Sequence, residues 1–144
     1  MIRITRQYHF SASHRLNVPT LTADENASLY GKCNNPFGHG HNYTLAVSAT
    51  GDIDPNTERL LPIADLDALV NEKVLPAIGH RYLNDELPEF ASAVPTTENI
   101  ARFIERLLTE NWDAYLGHSR ARLSRIHIQE TERNSFALTR EAHS

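Results

Sequence analysis

Apolar and polar residues alternate at the start of the chain. Between Ile2 and His14 the even positions are mostly apolar and the odd positions mostly polar, which is the period of a half-buried β-strand. The alternation returns from Tyr43 onward and ends at Gly51, where a turn begins. The pattern predicts two strands. Residues 17–32 between them show neither periodicity and contain turn formers, so they are predicted to be a connecting loop.

A helical period appears twice in the second half of the chain. Residues 63–75 are predicted to form a helix that stops at Pro76, because proline interrupts the helical hydrogen bonds. Residues 95–112 are predicted to form a longer helix with Thr96 as its N-cap and Glu98 in its first turn. The apolar stripes are Leu66, Leu69, Val70 and Val74 in the first helix, and Ile100, Phe103, Ile104, Leu107, Leu108 and Trp112 in the second.

Two short strands are predicted at residues 122–130 and 135–140, with a turn at 131–134. The order is then β-β-α-α-β-β. Strands grouped at both ends of a chain, with helices between them, favour an α+β fold in which the helices pack on one face of an antiparallel sheet. The length of 144 residues fits one domain, residues 1–144.

The composition excludes several classes of protein. With 14 Lys and Arg against 18 Asp and Glu the formal net charge is −4, and no segment combines basic residues with aromatic ones, so we expect no nucleic-acid partner. Apolar runs are too short to cross a membrane. The first residues lack the apolar segment of a secretory signal, and Cys33 is the only cysteine. We therefore expect a cytoplasmic protein.

The segment GKCNNPFGHGHNY, residues 31–43, contains candidate chemistry. In an extended chain His39 and His41 project to the same side, and His14 approaches them if the first two strands pair. Three neutral imidazoles suit zinc and leave a fourth position for water or substrate. From spacing alone, a chance pair of histidines remains an equal alternative. Cys33 is a candidate fourth ligand, or a thiolate base that faces a metal-bound substrate.

Two further titratable residues are candidates for a site. His80 follows Gly79 in the loop after the first helix, and a single loop histidine is usually a surface residue. Glu130 is in phase with Ile126 and Ile128, so it would place a carboxylate on an apolar face, which is costly without a hydrogen-bond partner. A one-residue bulge that turns Glu130 outward is the alternative.

Four motifs together resemble the 6-pyruvoyl-tetrahydropterin synthase family, which includes the 6-carboxy-tetrahydropterin synthases. They are FSASHRL at 10–16, GKCNNPFGHGHNY at 31–43, TTEN at 96–99 and QETERN at 129–134. The resemblance implies a T-fold, with a four-stranded antiparallel sheet and two helices on one side. It also implies homo-oligomers, trimeric barrels that stack into hexamers, with active sites between subunits. Exposed sheet edges give a physical reason for such an assembly.

The resemblance also implies a reaction and the residues that perform it. The reaction is a lyase reaction that converts 7,8-dihydroneopterin triphosphate with loss of triphosphate. Zinc would be bound by His14, His39 and His41, and Cys33 and His80 would act as catalytic residues. Three residues would hold the pterin: Thr96, Thr97 and Glu130.

The chain departs from the family at Gly79, where relatives have an aspartate that orients the following histidine. This departure leaves open a catalytically impaired pterin-binding protein, and a retro-aldol activity on dihydroneopterin is a third possibility. The long interval between Cys33 and the HGH motif favours the pyruvoyl branch. HRYLND at 80–85 resembles the loop of the 6-carboxy-tetrahydropterin synthases, so their reaction is the second expectation.

Overall fold

The computed structural model describes residues 1–140. Its two long strands, β1 (Ile2–His14) and β2 (His39–Gly51), pair antiparallel along their whole length. The other elements are α1 (Ala23–Tyr30), a 3₁₀ turn (Gly31–Asn34), α2 (Ile63–Leu69), a π-helical turn (Val70–Val74), α3 (Leu75–Ile78), β3 (Arg81–Tyr82), α4 (Leu83–Glu86), a 3₁₀ turn (Pro88–Phe90), α5 (Thr97–Leu116), β4 (Arg122–Gln129) and β5 (Ser135–Thr139).

The sheet has five strands in the order β3-β1-β2-β4-β5. The α+β class is confirmed, but the predicted four-stranded antiparallel sheet, its two helices and the order β-β-α-α-β-β are not matched. The short strand β3 runs parallel to β1, where Arg81 lies opposite Ala12 and Tyr82 opposite Ser13. Two paired residues are too few to produce a periodic pattern, so the sequence carried no strand signal there.

The region predicted as a loop between β1 and β2 contains a helix. In α1 the hydroxyl of Thr22 accepts a hydrogen bond from the Glu25 amide, and the Glu25 carboxylate accepts one from the Thr22 amide. This reciprocal capping stabilises the first turn of a short helix that has little apolar character. A helix that is set by capping residues has no apolar periodicity, so the hydrophobic pattern did not predict α1.

The first predicted helix does not stop at Pro76. It continues through the π-helical turn and ends at Ile78. Pro76 occupies the first turn of α3, where a missing backbone N–H is tolerated. The wider π turn thus accommodates the proline within a continuous helical segment.

Alternate positions of the strands face the helices and form one core. Tyr8 and Phe10 of β1, Leu45 of β2 and Ile126 of β4 are buried there against α2 and α5. The predicted stripe of α5 is confirmed: its apolar residues are buried apart from a partly exposed Leu107, and the Trp112 indole donates a hydrogen bond to a backbone carbonyl. Within residues 1–140, no helix combines the length and apolar character needed to span a membrane.

Candidate active site

Strand pairing brings three histidines to one face of the sheet. His14 lies opposite His39 in the β1–β2 register, and His41 follows two residues along β2. The His41 ring centroid is 4.9 Å from that of His14 and 4.7 Å from that of His39. The predicted approach of His14 to the other two histidines is therefore confirmed.

His14 has the properties of a metal ligand. It is completely buried, and its Nδ1 lies 2.9 Å from the carbonyl oxygen of Pro95. A carbonyl only accepts, so Nδ1 carries the proton and Nε2 presents a lone pair. That Nε2 is buried and has no hydrogen-bond partner among the described residues. Burial lowers the pKa of His14, which keeps the imidazole neutral, and a backbone partner at the second nitrogen is typical of ligating histidines.

Four candidate ligand atoms converge at this point. They belong to His14, Cys33, His41 and Glu130, and all lie within 4.8 Å of one another. Two imidazole nitrogens, a sulfur and a carboxylate oxygen form a donor set that zinc accepts. The ring of His39 borders the group, but its nitrogens are not part of it. The structure thus gathers two of the three predicted histidine ligands and adds Cys33 and Glu130.

Cys33 lies in the 3₁₀ turn that precedes β2. The turn is fixed to the end of β1, because the Leu16 amide donates a 2.7 Å hydrogen bond to the Cys33 carbonyl. The Cys33 Sγ is 3.7 Å from Nε2 of His41. Burial and the nearby Glu130 carboxylate both raise the pKa of the thiol, so these surroundings favour the protonated form.

The loop from Cys33 to β2 requires a glycine. Gly38 has a φ of +84°, a conformation that L-residues with side chains rarely adopt. A Cβ at this position would also lie 2.9 Å from the Tyr82 ring. Gly38 therefore allows the loop to pass close to β3 and to direct the chain into the histidine-bearing end of β2.

Glu130 faces inward, just beyond the end of β4. Its side chain is 11% exposed, and its Oε1 lies 3.0 Å from Nε2 of His41 and 3.9 Å from Nε2 of His14. The hydroxyl of Thr97 donates a 2.5 Å hydrogen bond to Oε2. Because these groups hold the carboxylate on the buried side, the alternative of an outward bulge at Glu130 is wrong.

The two threonines at the start of α5 have different contacts. The Thr96 hydroxyl accepts a hydrogen bond from the Asn99 amide, which confirms the predicted N-cap. Thr97 is buried, and its hydroxyl is directed to Glu130. In the described structure only Thr97 therefore contacts the cluster through its side chain.

Tyr43 also belongs to the site, although the sequence pattern indicates only its position in a strand. It is 1% exposed, stacks on Phe10 with ring centroids 4.7 Å apart and contacts the His41 ring edge to face. Burial, and then the charges of Glu130 and Cys33, raise the pKa of Tyr43 well above its usual range. Its spacing of two from His41 places both on one face of β2, and that was the available signal.

His80 is not part of the four-atom cluster, although it borders the same surface cavity as His41. Its backbone is in the left-handed region with a φ of +59°, and its amide donates a hydrogen bond to the Ser11 carbonyl. The side chain borders the surface formed by Ser11, Asn42 and Thr44, on the sheet face that the helices leave uncovered. The catalytic role expected for His80 therefore stays a prediction.

Gly79 is sterically required in this loop. Its amide donates a 2.7 Å hydrogen bond to the Leu75 carbonyl, and a Cβ on Gly79 would lie 2.8 Å from that same oxygen. Any side chain here forces the backbone to shift. Glu86 borders the same cavity as His80, and its carboxylate accepts a hydrogen bond from the Tyr82 amide.

Comparison with known proteins identifies relatives along nearly the whole chain. A family model described as 6-pyruvoyl tetrahydropterin synthase matches residues 3–141. A human protein named 6-pyruvoyl tetrahydrobiopterin synthase is 45% identical over 102 residues, which are 71% of this chain and 70% of the human one. A protein of the same name from Poecilia reticulata is 42% identical over 131 residues, 91% of this chain and 85% of its own length.

Solved structures agree with these matches. The 6-pyruvoyl tetrahydropterin synthase of Caenorhabditis elegans has a TM-score of 0.83 and 32% identity, with 97% of this chain and 96% of that one covered.

A relative with the other reaction in its name is less similar in sequence. A protein named 6-carboxy-5,6,7,8-tetrahydropterin synthase, from Haemophilus influenzae, is 27% identical over 99 residues, which are 67% of this chain and 62% of that protein.

Proposed function

The chain belongs to the 6-pyruvoyl tetrahydropterin synthase family, and we propose that it is a zinc-dependent lyase that converts 7,8-dihydroneopterin triphosphate with loss of triphosphate. The observation that carries this proposal is the buried, unpartnered Nε2 of His14, directed at His41, Cys33 and Glu130. The names of the human and Poecilia reticulata relatives support the pyruvoyl reaction over the carboxy reaction.

His14, His41 and His39 would hold the zinc ion. The first two present nitrogens within the four-atom cluster, and His39, whose ring centroid is 4.7 Å from that of His41, would supply the third ligand. The Pro95 carbonyl keeps His14 in the tautomer that ligation needs. When bound, zinc acts as a Lewis acid that acidifies the C–H and O–H groups of the substrate side chain.

Cys33 would remove and return protons on the substrate side chain. The thiol lies in the cluster, 3.7 Å from His41, and so it faces the position at which the side chain would bind. Burial disfavours its thiolate in the free chain, whereas a neighbouring cation favours the thiolate. The arrangement therefore ties the basicity of Cys33 to metal occupancy.

Glu130 and Thr97 would bind the pterin ring. A carboxylate can accept two parallel N–H bonds from an amino-pyrimidine edge, and Glu130 is mostly shielded from water, which strengthens such bonds. Thr97 fixes one oxygen of the carboxylate, while Thr96 supports the binding site by capping α5.

The protein would be a homo-oligomer in the cytoplasm. His80 of one subunit would act in the active site of a neighbouring subunit. Within one chain His80 borders the uncovered side of the sheet and lies outside the four-atom cluster. The outer strands β3 and β5 end the sheet with edges that further strands can join. Joining copies at these edges would bring His80 of one copy near Cys33 of another.

Product analysis tests the proposal. Zinc-loaded protein is incubated with 7,8-dihydroneopterin triphosphate, triphosphate release is followed, and the pterin products are identified by mass spectrometry. We expect triphosphate release and a 6-pyruvoyl product, and neither with Cys33→Ala. Release of triphosphate with a 6-carboxy product would instead establish the second candidate, which the HRYLND loop and the Haemophilus influenzae relative favour.

Two other results would reject the proposed reaction. If zinc-loaded protein binds the pterin without turnover, it is a catalytically impaired homologue. Gly79 is the reason for this alternative, because it stands where an aspartate is expected. Formation of glycolaldehyde from dihydroneopterin would identify a retro-aldol activity.

A further inference from the structure

Tyr43 carries a polar group that the proposed reaction does not use. Its hydroxyl is one of two buried side-chain polar atoms without a hydrogen-bond partner in residues 1–140, and the other is Nε2 of His14. A buried hydroxyl without a partner destabilises the folded state, because nothing replaces the hydrogen bonds that it made with water. Such groups are rare in folded proteins, and each calls for an explanation.

The position of Tyr43 connects this hydroxyl to the site. The ring is held by Phe10, which stacks on it at 4.7 Å, and by the edge of His41, whose centroid is 5.5 Å away. The side chain is therefore fixed by packing on two sides. The two residues that carry the unpartnered atoms lie on the same face of the paired strands β1 and β2, and both contact His41, a member of the four-atom cluster.

Tyr8 provides an internal contrast. It is a second buried tyrosine on that face, 8% exposed, and its hydroxyl donates a 2.7 Å hydrogen bond to Asp67. The fold thus satisfies the tyrosine that lies far from the cluster and leaves unsatisfied the one beside it. A purely structural tyrosine would be expected to resemble Tyr8.

We propose that the Tyr43 hydroxyl is a ligand-binding donor, which forms its hydrogen bond with an acceptor atom of the pterin bound at the cluster. This proposal rests on the proposed function, because it takes the ligand to be a pterin. A phenol is neutral at physiological pH and can donate. A shielded and rigid donor would select a ligand with an acceptor at this position, because a ligand without one would leave the hydroxyl unpaired.

The test compares Tyr43→Phe with Tyr8→Phe in the zinc-loaded protein. Each variant is titrated with neopterin, whose oxidised ring does not turn over, and zinc content is measured in each sample. For Tyr43→Phe we expect the Kd to rise about three- to tenfold. The urea midpoint of the free protein should be unchanged or higher, since the lost hydroxyl had no partner. For Tyr8→Phe we expect the opposite: a lower urea midpoint and an unchanged Kd.

A second titration with pterin, which lacks the side chain, locates the acceptor. An equal loss of affinity for both ligands assigns the bond to the ring, and a loss for neopterin alone assigns it to the side chain. Either result supports the proposal. A Tyr43→Phe variant with wild-type affinity would overturn the proposal. So would a Tyr43→Phe variant that loses zinc, or one whose urea midpoint falls as expected for Tyr8→Phe. If the wild-type protein binds neither ligand, the proposed function fails, and the proposal for Tyr43 fails as well.

Discussion

The hydroxyl of Thr97 donates a 2.5 Å hydrogen bond to Oε2 of Glu130 and thereby joins the first turn of α5 to the end of β4. The two residues are separated by 32 others along the chain, so the bond depends on how the helix packs on the sheet. The Glu130 carboxylate is also in contact with His41. The orientation of Glu130 is therefore set jointly by a helix and by a strand.

We expect Thr97→Val to weaken both the fold and pterin binding. Valine has nearly the same shape but cannot donate, so a buried carboxylate oxygen loses a charge-assisted hydrogen bond and unfolding becomes easier by about 1.5–3 kcal/mol. Urea denaturation and neopterin titration measure the two effects. Thr97→Ser retains the hydroxyl and should recover most of both. Equal behaviour of the valine and serine variants would show that the hydroxyl is unimportant.

We expect the chain to bind about one zinc ion, with His14 essential to the site. A chelator should lower the thermal midpoint, because a metal that binds only the folded state stabilises it. His14→Gln should lose stoichiometric zinc by elemental analysis, whereas His9→Gln, an exposed change on the opposite face of β1, should retain it. Full zinc content in His14→Gln would rule out the predicted site.

We expect an acid at position 79 to be harmful and not restorative. Gly79→Ala and Gly79→Asp should both reduce the free energy of unfolding by about 1–2 kcal/mol, since each adds a Cβ that meets the Leu75 carbonyl oxygen at 2.8 Å. Gly40→Ala is a matched control, because a Cβ there meets nothing within 4 Å. A gain in both stability and turnover with Gly79→Asp would contradict this expectation.

We expect Cys33→Ala and His80→Ala to complement each other. If His80 serves the Cys33 of another copy, mixed oligomers contain some sites with both native residues. Each variant alone should be nearly inactive, and subunit exchange between them should restore part of the triphosphate release. Mass spectrometry would verify the exchange. A mixture that has exchanged subunits and is still inactive would place both residues in the same chain's site.

We expect the pair of Arg6 and Asp67 to stabilise the fold only above moderately acidic pH. Arg6 donates two hydrogen bonds to the carboxylate, at 2.7 and 3.1 Å, and these lower the pKa of Asp67. A lowered folded-state pKa gives stability that is complete above the unfolded value near 4 and is lost as the pH falls through the folded value.

Asp67→Asn should therefore be less stable than the wild type by about 1 kcal/mol at pH 7, a modest value because the pair is partly exposed. The difference should shrink as the pH falls below about 4. Urea midpoints measured across this range provide the test. A difference that is independent of pH would assign the effect to packing.

The long elements and their buried faces were predictable because they depend on local periodicity. The alternation in β1 and β2 was sufficient to predict that His14 would meet His39 and His41 on one face. The contacts that complete the cluster depend on tertiary packing. Neither the Pro95 carbonyl at His14 nor the Thr97 hydroxyl at Glu130 follows from residue spacing. The same applies to β3, whose pairing partner lies about seventy residues earlier.

The four-atom cluster joins positions 14, 33, 41 and 130, so its donors come from two segments that are far apart in sequence. Three of the donors belong to the paired strands β1 and β2 and to the turn before β2. Glu130 reaches them only when β4 lies beside β2 and α5 packs on the sheet. Local opening of β4 would therefore remove the carboxylate from the cluster and leave the other three donors together.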